Sequence, residues 1–366
     1  MEYVQEGITT LHDFGGATPS APTDRASVVV PMTEREHAGL AAEGVLSALE
    51  RVDPERVVVP LRATTERIVE VAEWLEDFDL DLQVLWCNAP QLERLLGEVD
   101  LNGSHGKGRD VWLGMGIAAD SKYVVVHDAD AKSYTSDHVP KLLFPLLNGH
   151  AFAKGYYARV ENDRLYGRLF RLFYRPLVET LATNRQVDVL EYLGAFRYAL
   201  AGEFALTGTL ARTFRIRRGW GLEVGTLGEA FAEAGIDGSA QVDLGMHEHD
   251  HRAVSGPSGL SEMAEEVGAA VFHTLETNDV SIEYETLPDR YRHTAARHVS
   301  AYEIDAAFNG LEFDRASELE QVETYAEEIA PPIPESLLPA WQDAPIDPDE
   351  VVDAATEGLD EARDGR

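Results

Sequence analysis

The sequence predicts an α/β protein, doubly wound on a mostly parallel sheet with helices on both faces, and three observations carry that reading. Strand-length apolar runs alternate with helix-length periodic ones three times before the turn at Gly103, the order that parallel strands with crossover helices produce. The run Lys122-Tyr123-Val124-Val125-Val126-His127-Asp128-Ala129-Asp130 holds consecutive β-branched valines, as a strand buried on both faces requires, and it stops in two carboxylates spaced by one small residue. Strands elsewhere also end in tight turns, which in an open α/β sheet gather where ligands bind.

Taken in order, residues 1–25 contain Gly15-Gly16 and no clear period, an irregular lead-in. Ser27-Val28-Val29-Val30-Pro31 reads as a strand stopped by proline, followed by the polar turn Met32-Thr33-Glu34-Arg35-Glu36 and a helix near 38–51. Val57-Val58-Val59-Pro60 repeats the device before a helix from Thr65 to Phe78, and Leu82 to Cys87 forms the third strand. Gly103-Ser104-His105-Gly106-Lys107-Gly108-Arg109-Asp110 then opens a helix from Val111 to Ala119. It lacks P-loop spacing, yet a glycine turn with a lysine at a helix start can hold phosphate through backbone N–H groups and a point charge.

Beyond Asp130 the pattern gives a helix over about 136–147, with Pro140 near its first turn, and a strand from Phe152 to Arg159. The stretch Asp163–Thr180 reads as a helix carrying Arg164, Arg168, Arg171 and Arg175 on one face, a planar-fork array suited to a small polyanion. Leu200-Ala201-Gly202-Glu203 places a glycine before an acid, as where a turn passes close to a ligand. Gly219-Trp220-Gly221-Leu222-Glu223-Val224-Gly225 sets an aromatic and an acid among glycines, a loop fit to wrap a sugar. In Leu244-Gly245-Met246-His247-Glu248-His249-Asp250-His251-Arg252 the histidines alternate with acids, so an extended backbone puts the imidazoles on one face as a metal-site candidate. Residues 258–330 read as acidic helices, and 331–366 as a proline-led docking segment with a helical or disordered tail.

Composition narrows the function classes. The 366 residues carry a formal charge of −34, from 65 acidic against 31 basic side chains. Only Lys107, Lys122, Lys132, Lys141 and Lys154 are lysines, and the remaining basic residues are arginines. An acidic, lysine-poor surface fits a halophilic habitat of molar salt, where the screening length is about 3 Å. It offers no basic stripe, so nucleic acid is excluded as a partner. No apolar run reaches the roughly 20 residues of a membrane span, and no leader pattern opens the chain, so no membrane partner is expected and a cytoplasmic location is. The single cysteine, Cys87, excludes an internal disulfide and a cysteine-rich zinc site.

Asp128-Ala129-Asp130 at a strand end suits a hard divalent cation, Mg or Mn, that keeps waters and shares phosphate oxygens. With the lysine-bearing turn, the arginine face and the downstream histidines, it fits group transfer from a nucleoside diphosphate to a small anion. In Gly106-Lys107-Gly108, Asp128-Ala129-Asp130, Gly167-Arg168, Arg175-Pro176-Leu177, Leu200-Ala201-Gly202-Glu203, Gly221-Leu222-Glu223-Val224-Gly225 and Leu244-Gly245 leading to His249, the chain resembles glucosyl-3-phosphoglycerate synthases. These are retaining glycosyltransferases of the GT-A fold (Rossmann-like), and mannosyl-3-phosphoglycerate synthases are more distantly similar.

The resemblance implies a catalytic domain over 26–255, a mainly helical C-terminal extension over 256–330, an acidic tail over 331–366 and a homodimer contact. It implies glucose transfer from UDP- or GDP-glucose to the 2-hydroxyl of 3-phosphoglycerate, with Asp130 and His249 on the metal and Asp128 on nucleotide or sugar. Pro31, Glu34, Gly106 and Lys107 would meet the nucleotide, Glu223 the sugar hydroxyls and Arg168 the acceptor phosphate. Trp220, His247 and His251 would line the acceptor side, while the Leu200 carbonyl places the attacking hydroxyl. Two departures stand out: the turn at Pro31 is a residue shorter than the glucosyl pattern, leaving Glu34 and Glu36 as alternatives toward the base, and Phe170 replaces a threonine on the acceptor side. Mannosyl transfer, transfer to another small acid or a lipid phosphate, and a non-catalytic nucleotide-sugar binder are the alternatives.

Overall fold

A computed structural model describes residues 5–248, 257–333 and 337–365. Nine strands form its central sheet. They are β1 (Thr9–Leu11), β2 (Ala26–Val29), β3 (Met32–Thr33), β4 (Arg56–Arg62), β5 (Leu82–Trp86), β6 (Tyr123–Val126), β7 (Phe152–Ala158), β10 (Phe204–Thr207) and β11 (Ser239–Met246), while β8 (Val160–Glu161) and β9 (Arg164–Leu165) pair apart as a small hairpin. Across the sheet the order is β1, β11, β7, β10, β6, β2, β4, with β3 and β5 both on β4. Every pairing is parallel except those of β10, which runs antiparallel to β6 and β7 on either side.

The valine runs sit where a two-sided sheet puts them. Val28, Val29, Val57, Val58, Val59, Val124, Val125 and Val126 are all fully buried, each worth roughly 1.5–3 kcal/mol of transfer free energy. Contrary to expectation, Pro60 does not stop its strand: β4 runs through it to Arg62 and pairs Pro60 with Leu85. Register explains the tolerance. Val29 pairs with Val58 and Met32 with Leu61, so Pro31 falls opposite Pro60 in the break between β2 and β3. Two residues without N–H groups face each other where the ladder needs neither donor.

The expected arginine helix is also corrected. Arg164 lies on β9, Gly167 adopts φ +77°, and Leu169–Tyr174 is wound as a π-helical segment before a short α-helix, Arg175–Ala182. The wider π turn breaks the 3.6-residue period, so the four guanidinium groups do not share one face. All four find acceptors within the chain. Arg164 pairs with Glu312, Arg168 and Arg171 both with Glu318, and Arg175 donates to the Gly194 carbonyl.

The C-terminal helices are Pro257–Thr277, Leu287–Asn309, Arg315–Glu327 and Pro348–Asp364. They share one apolar core with the sheet, Tyr291, Tyr325, Trp341 and Leu359 belonging to the same cluster as Val125. The segment before the last helix docks through Trp341, stacked on Trp112 at 4.2 Å and 14°. Each indole N–H is satisfied across that contact, Trp341 donating to the Trp112 carbonyl and Trp112 to that of Pro339. Asp347 and Glu350 close a capping box with Pro348 at the first helical position, so the tail ends in a well-started helix that packs against Pro90–Glu98. No helix among the described residues is long and apolar enough to cross a membrane.

A Cβ at Gly116 would lie 2.3 Å from the Trp341 ring, whereas one at Gly44, inside the helix Leu40–Val52, meets nothing within 4 Å. Gly116→Ala should therefore cost about 1–3 kcal/mol by overpacking, and Gly44→Ala should stabilise by about 0.5–1 kcal/mol. Denaturant midpoints of the two variants check both signs.

Candidate active site

The carboxyl ends of β2, β4 and β6 open on one pocket, lined among others by Pro31, Glu36, Arg62, Lys107, Asp130 and Trp220. The amino end of β10 meets them, because Phe204 pairs with Val126 and so carries Gly202 back to the Asp128 carboxylate. A Cβ at Gly202 would lie 2.2 Å from Asp128 Oδ2, so this turn passes closer to the acid than any side chain permits.

Lys107 joins the parts. Its Nζ lies 2.5 Å from Asp128 Oδ1 and 2.9 Å from Glu223 Oε1. Burial works against its proton, but the two carboxylates outweigh that and hold it above the ordinary lysine range. Backbone approach fixes its position: Gly106 and Gly108 pack on the carbonyls of Arg218 and Arg217, where a Cβ would fall at 2.3 and 1.7 Å. The helix starting at Lys107 thus begins with no room for side chains on that side, and Glu223 comes from the first turn of the helix Leu222–Glu233, where the dipole favours an acid.

Lys154 on β7 is wholly inaccessible, its Nζ without a hydrogen-bond partner among the described residues and 5.4 Å from the Phe204 ring centroid. Burial lowers its pKa to about 8, with Glu223 opposing the fall and Lys107 adding to it. Glu203, beside Gly202, is also fully buried.

At the pocket's other wall Glu36, not Glu34, faces the cavity. Glu34 accepts the Thr64 N–H at 2.7 Å, which holds its carboxyl below the usual range, while Glu36 caps the turn through the Thr33 N–H and hydroxyl. Arg62 reaches Asp110 at 2.5 Å, and burial raises that acid to about 6 against the arginine's pull. Trp220 is partly exposed on the rim, its backbone N–H held by Glu266. Leu200 ends the turn that leads into Gly202.

The acceptor-side residues are dispersed more widely than the sequence suggests. Arg168 donates to Glu318 Oε1 at 2.8 Å and to Ser317 at 3.2 Å, both on the helix Arg315–Glu327. His247 is buried and stacked on Tyr157 at 4.0 Å and 12°. His249 and His251 lie outside the described residues, among which no group of three His, Cys, Asp or Glu side chains gathers to hold an ion. The loop bearing Asp130 is nonetheless pinned to the end of the histidine segment: Lys132 N–H donates to the Glu248 carbonyl at 2.8 Å, and Glu248 N–H to Ser133 Oγ at 3.1 Å. Sequence reading gives no sign of Arg62, names Asp110 only as the end of the glycine turn and Lys154 only as one of the few lysines.

No protein-family model matches the chain. A glucosyl-3-phosphoglycerate synthase from Methanococcoides burtonii is 36% identical over 359 residues, 90% of this chain and 88% of that one. Another from Persephonella marina is 33% identical over 344 residues, 86% and 84% of the two chains. The crystal structure of glucosyl-3-phosphoglycerate synthase from Mycobacterium tuberculosis with Mg2+ and UDP aligns with a TM-score of 0.55 at 25% identity, covering 75% of this chain and 88% of its own.

The buried lysine gives stability a pH signature. Lys154 sheds its proton near pH 8 in the folded chain and near 10.5 in the unfolded one, so across that window the unfolded state binds more protons and stability rises with pH. Lys154→Met removes the rise. Its advantage over the wild type near pH 7 should shrink by on the order of 2 kcal/mol toward about pH 9.5, read from denaturant unfolding at each pH.

Proposed function

The chain belongs to the glucosyl-3-phosphoglycerate synthase family, and from that premise we propose that it is a metal-dependent retaining GT-A transferase moving glucose from a nucleoside diphosphate glucose to the 2-hydroxyl of 3-phosphoglycerate. The observation that carries this is the clasp of Lys107 by Asp128 and Glu223 beside Asp130, in a pocket at the carboxyl ends of parallel strands. The M. tuberculosis relative binds Mg2+ with UDP, and separately phosphoglyceric acid.

Asp130 and His249 are the residues that would hold the divalent ion. An oxygen and an imidazole leave places for phosphate oxygens and water, and the pinning of Lys132 to Glu248 supports the pairing. Bound there, Mg2+ or Mn2+ supplies charge neutralisation for the diphosphate leaving group. Lys107 adds a mobile point charge at a helix start. Glu223 accepts from sugar hydroxyls and fixes the ring, and Trp220 covers the pocket's rim. The Leu200 carbonyl orients the acceptor hydroxyl, which attacks from the face the phosphate leaves, so retention needs no side-chain nucleophile. Catalysis then comes from placement and electrostatics. Arg168 meets the acceptor phosphate at the C-terminal helix, where Glu318 and Ser317 hold its fork in position. With Glu36 on the pocket wall and Glu34 turned to Thr64, Glu36 is the carboxylate facing the base.

The acidic, lysine-poor surface supports a cytoplasm of high salt as the working medium, and the C-terminal helices are the proposed homodimer contact.

In molar salt with Mg2+ or Mn2+ and 3-phosphoglycerate, UDP-glucose or GDP-glucose should yield glucosyl-3-phosphoglycerate with the donor's anomeric configuration, identified by NMR. Asp130→Ala and Glu223→Gln should each lower kcat by about 10²-fold or more with little change in Tm. Product only from GDP-mannose would favour the mannosyl reaction, and none from any donor would overturn the assignment.

A further inference from the structure

The fold leaves the Arg159 guanidinium half satisfied. Arg159 comes directly after β7 ends at Ala158, and its side chain is only 17% exposed. Nη1 donates to the Tyr198 hydroxyl at the long distance of 3.4 Å, and Nη2 stands 3.8 Å from Glu161 Oε1. Nε is buried with no hydrogen-bond partner among the described residues. The arginines nearby are better served. Arg171 donates to the Tyr166 carbonyl and to Glu318 at 3.0 Å each, and Arg168 donates to Glu318 at 2.8 Å. A guanidinium carries five N–H donors, and enclosing it with most of them unused is costly, so stability alone does not account for Arg159.

Its surroundings are those of the proposed acceptor side. The Tyr198 hydroxyl that Arg159 meets also lies against Gly167, where a Cβ would come within 3.0 Å of it, and Arg168 is the next residue. Tyr198 begins the turn that carries the Leu200 carbonyl, closed by the Ala201 N–H on the Tyr198 carbonyl at 3.2 Å. The His247 N–H donates to the Ala158 carbonyl at 2.9 Å, directly before Arg159. The Tyr198 ring packs on Tyr157 and on Phe170 with centroids 4.9 Å apart in each case, so Phe170 gives this wall a ring where the resemblance leads one to expect a hydroxyl. Arg159 therefore stands where Gly167-Arg168, the Leu200 turn and His247 converge.

Resting on the transferase assignment, we propose that Arg159 receives the carboxylate of the acceptor and selects a phosphorylated 2-hydroxy acid over a phosphorylated alcohol. In 3-phosphoglycerate the carbon that bears the 2-hydroxyl carries the carboxylate directly, and the phosphate hangs from the carbon on its other side. A hydroxyl held by the Leu200 carbonyl thus brings the carboxylate to the Tyr198 turn, where Arg159 lies, and leaves the phosphate to Arg168. A carboxylate takes two N–H groups of a guanidinium in one plane, and the Nε edge of Arg159 has them to give. It completes hydrogen bonds that the protein leaves unmade. An acceptor with a hydroxymethyl group in its place forfeits that gain, which is how a site built for a polar group rejects a ligand that lacks it.

The test measures calorimetric affinity for 3-phosphoglycerate and for glycerol 3-phosphate, which keeps the phosphate and the 2-hydroxyl but has no carboxylate. Wild type, Arg159→Met, Arg159→Lys and Arg168→Met are compared with Mg2+ and whichever of UDP and GDP the wild type binds. In Arg159→Met the preference for 3-phosphoglycerate over glycerol 3-phosphate should fall at least about tenfold, the size of one lost hydrogen bond between charged groups. Arg159→Lys, which keeps the charge and loses the fork, should regain part of it, whereas Arg168→Met should weaken both ligands and leave the preference within about twofold. A preference unchanged in Arg159→Met overturns the proposal, because an arginine that only holds the β8–β9 hairpin would lower Tm and weaken both ligands alike. A wild type that binds 3-phosphoglycerate but transfers no glucose defeats the transferase assignment instead, and the comparison of the two ligands still decides Arg159.

Discussion

Three charges from three separate parts of the chain meet at Lys107, and the sheet is built so that they can. Asp128 arrives at the end of a valine strand, Glu223 at the first turn of a helix, and Lys107 from a turn whose glycines press against the Arg217 and Arg218 backbone. None of these would be stable alone at such low exposure, because desolvating a lone charge costs several kcal/mol. Their mutual contact makes the arrangement self-supporting, and the close backbone approaches at Gly106, Gly108 and Gly202 set how near the charges come.

The same logic governs the arginines around Gly167, with the C-terminal helices supplying the counter-charge. Glu318 is nearly buried and receives both Arg168 and Arg171, while Arg171 also donates to the Tyr166 and Leu165 carbonyls. Arg171 is therefore saturated and structural. Among the described residues Arg168 meets Glu318 and, at longer range, Ser317, and its side chain is 37% exposed. Because the extension shares the sheet's apolar core, the orientation of this arginine is tied to the packing of Tyr325 and Tyr291.

Local pattern made the parallel half of the sheet readable. Runs of three valines and the strand-helix alternation survive any detail of packing, and β2, β4, β5 and β6 stand close to where their sequences place them. What failed was whatever depended on a partner far along the chain. Pro60 stays inside a strand because Pro31 lies opposite, and the arginines depart from one helical face because Arg164 lies on β9 before the turn at Gly167 while a π segment breaks the period behind it. The acids of Asp128 and Glu223 were legible as chemistry, flanked by glycine and valine. Arg62 and Lys154 were not, since each stands within an ordinary strand and gains its meaning only from the neighbours that the fold brings to it.

The scarcity of lysine sharpens the role of those that remain. Arginine spreads its charge over a planar fork that wants several acceptors and does not shed its proton, which suits the fixed pairs with Glu312 and Glu318. A position that must be buried with few acceptors, or whose charge must move between partners, calls for a compact ammonium on a flexible stem. Lys107, shared by two carboxylates, and Lys154, enclosed with no hydrogen-bond partner among the described residues, are such positions, and Lys141, locked onto Asp13 at 2.7 Å, is a nearly buried third. Lys122 and Lys132 are exposed, so the distinction holds only for the lysines that the fold encloses.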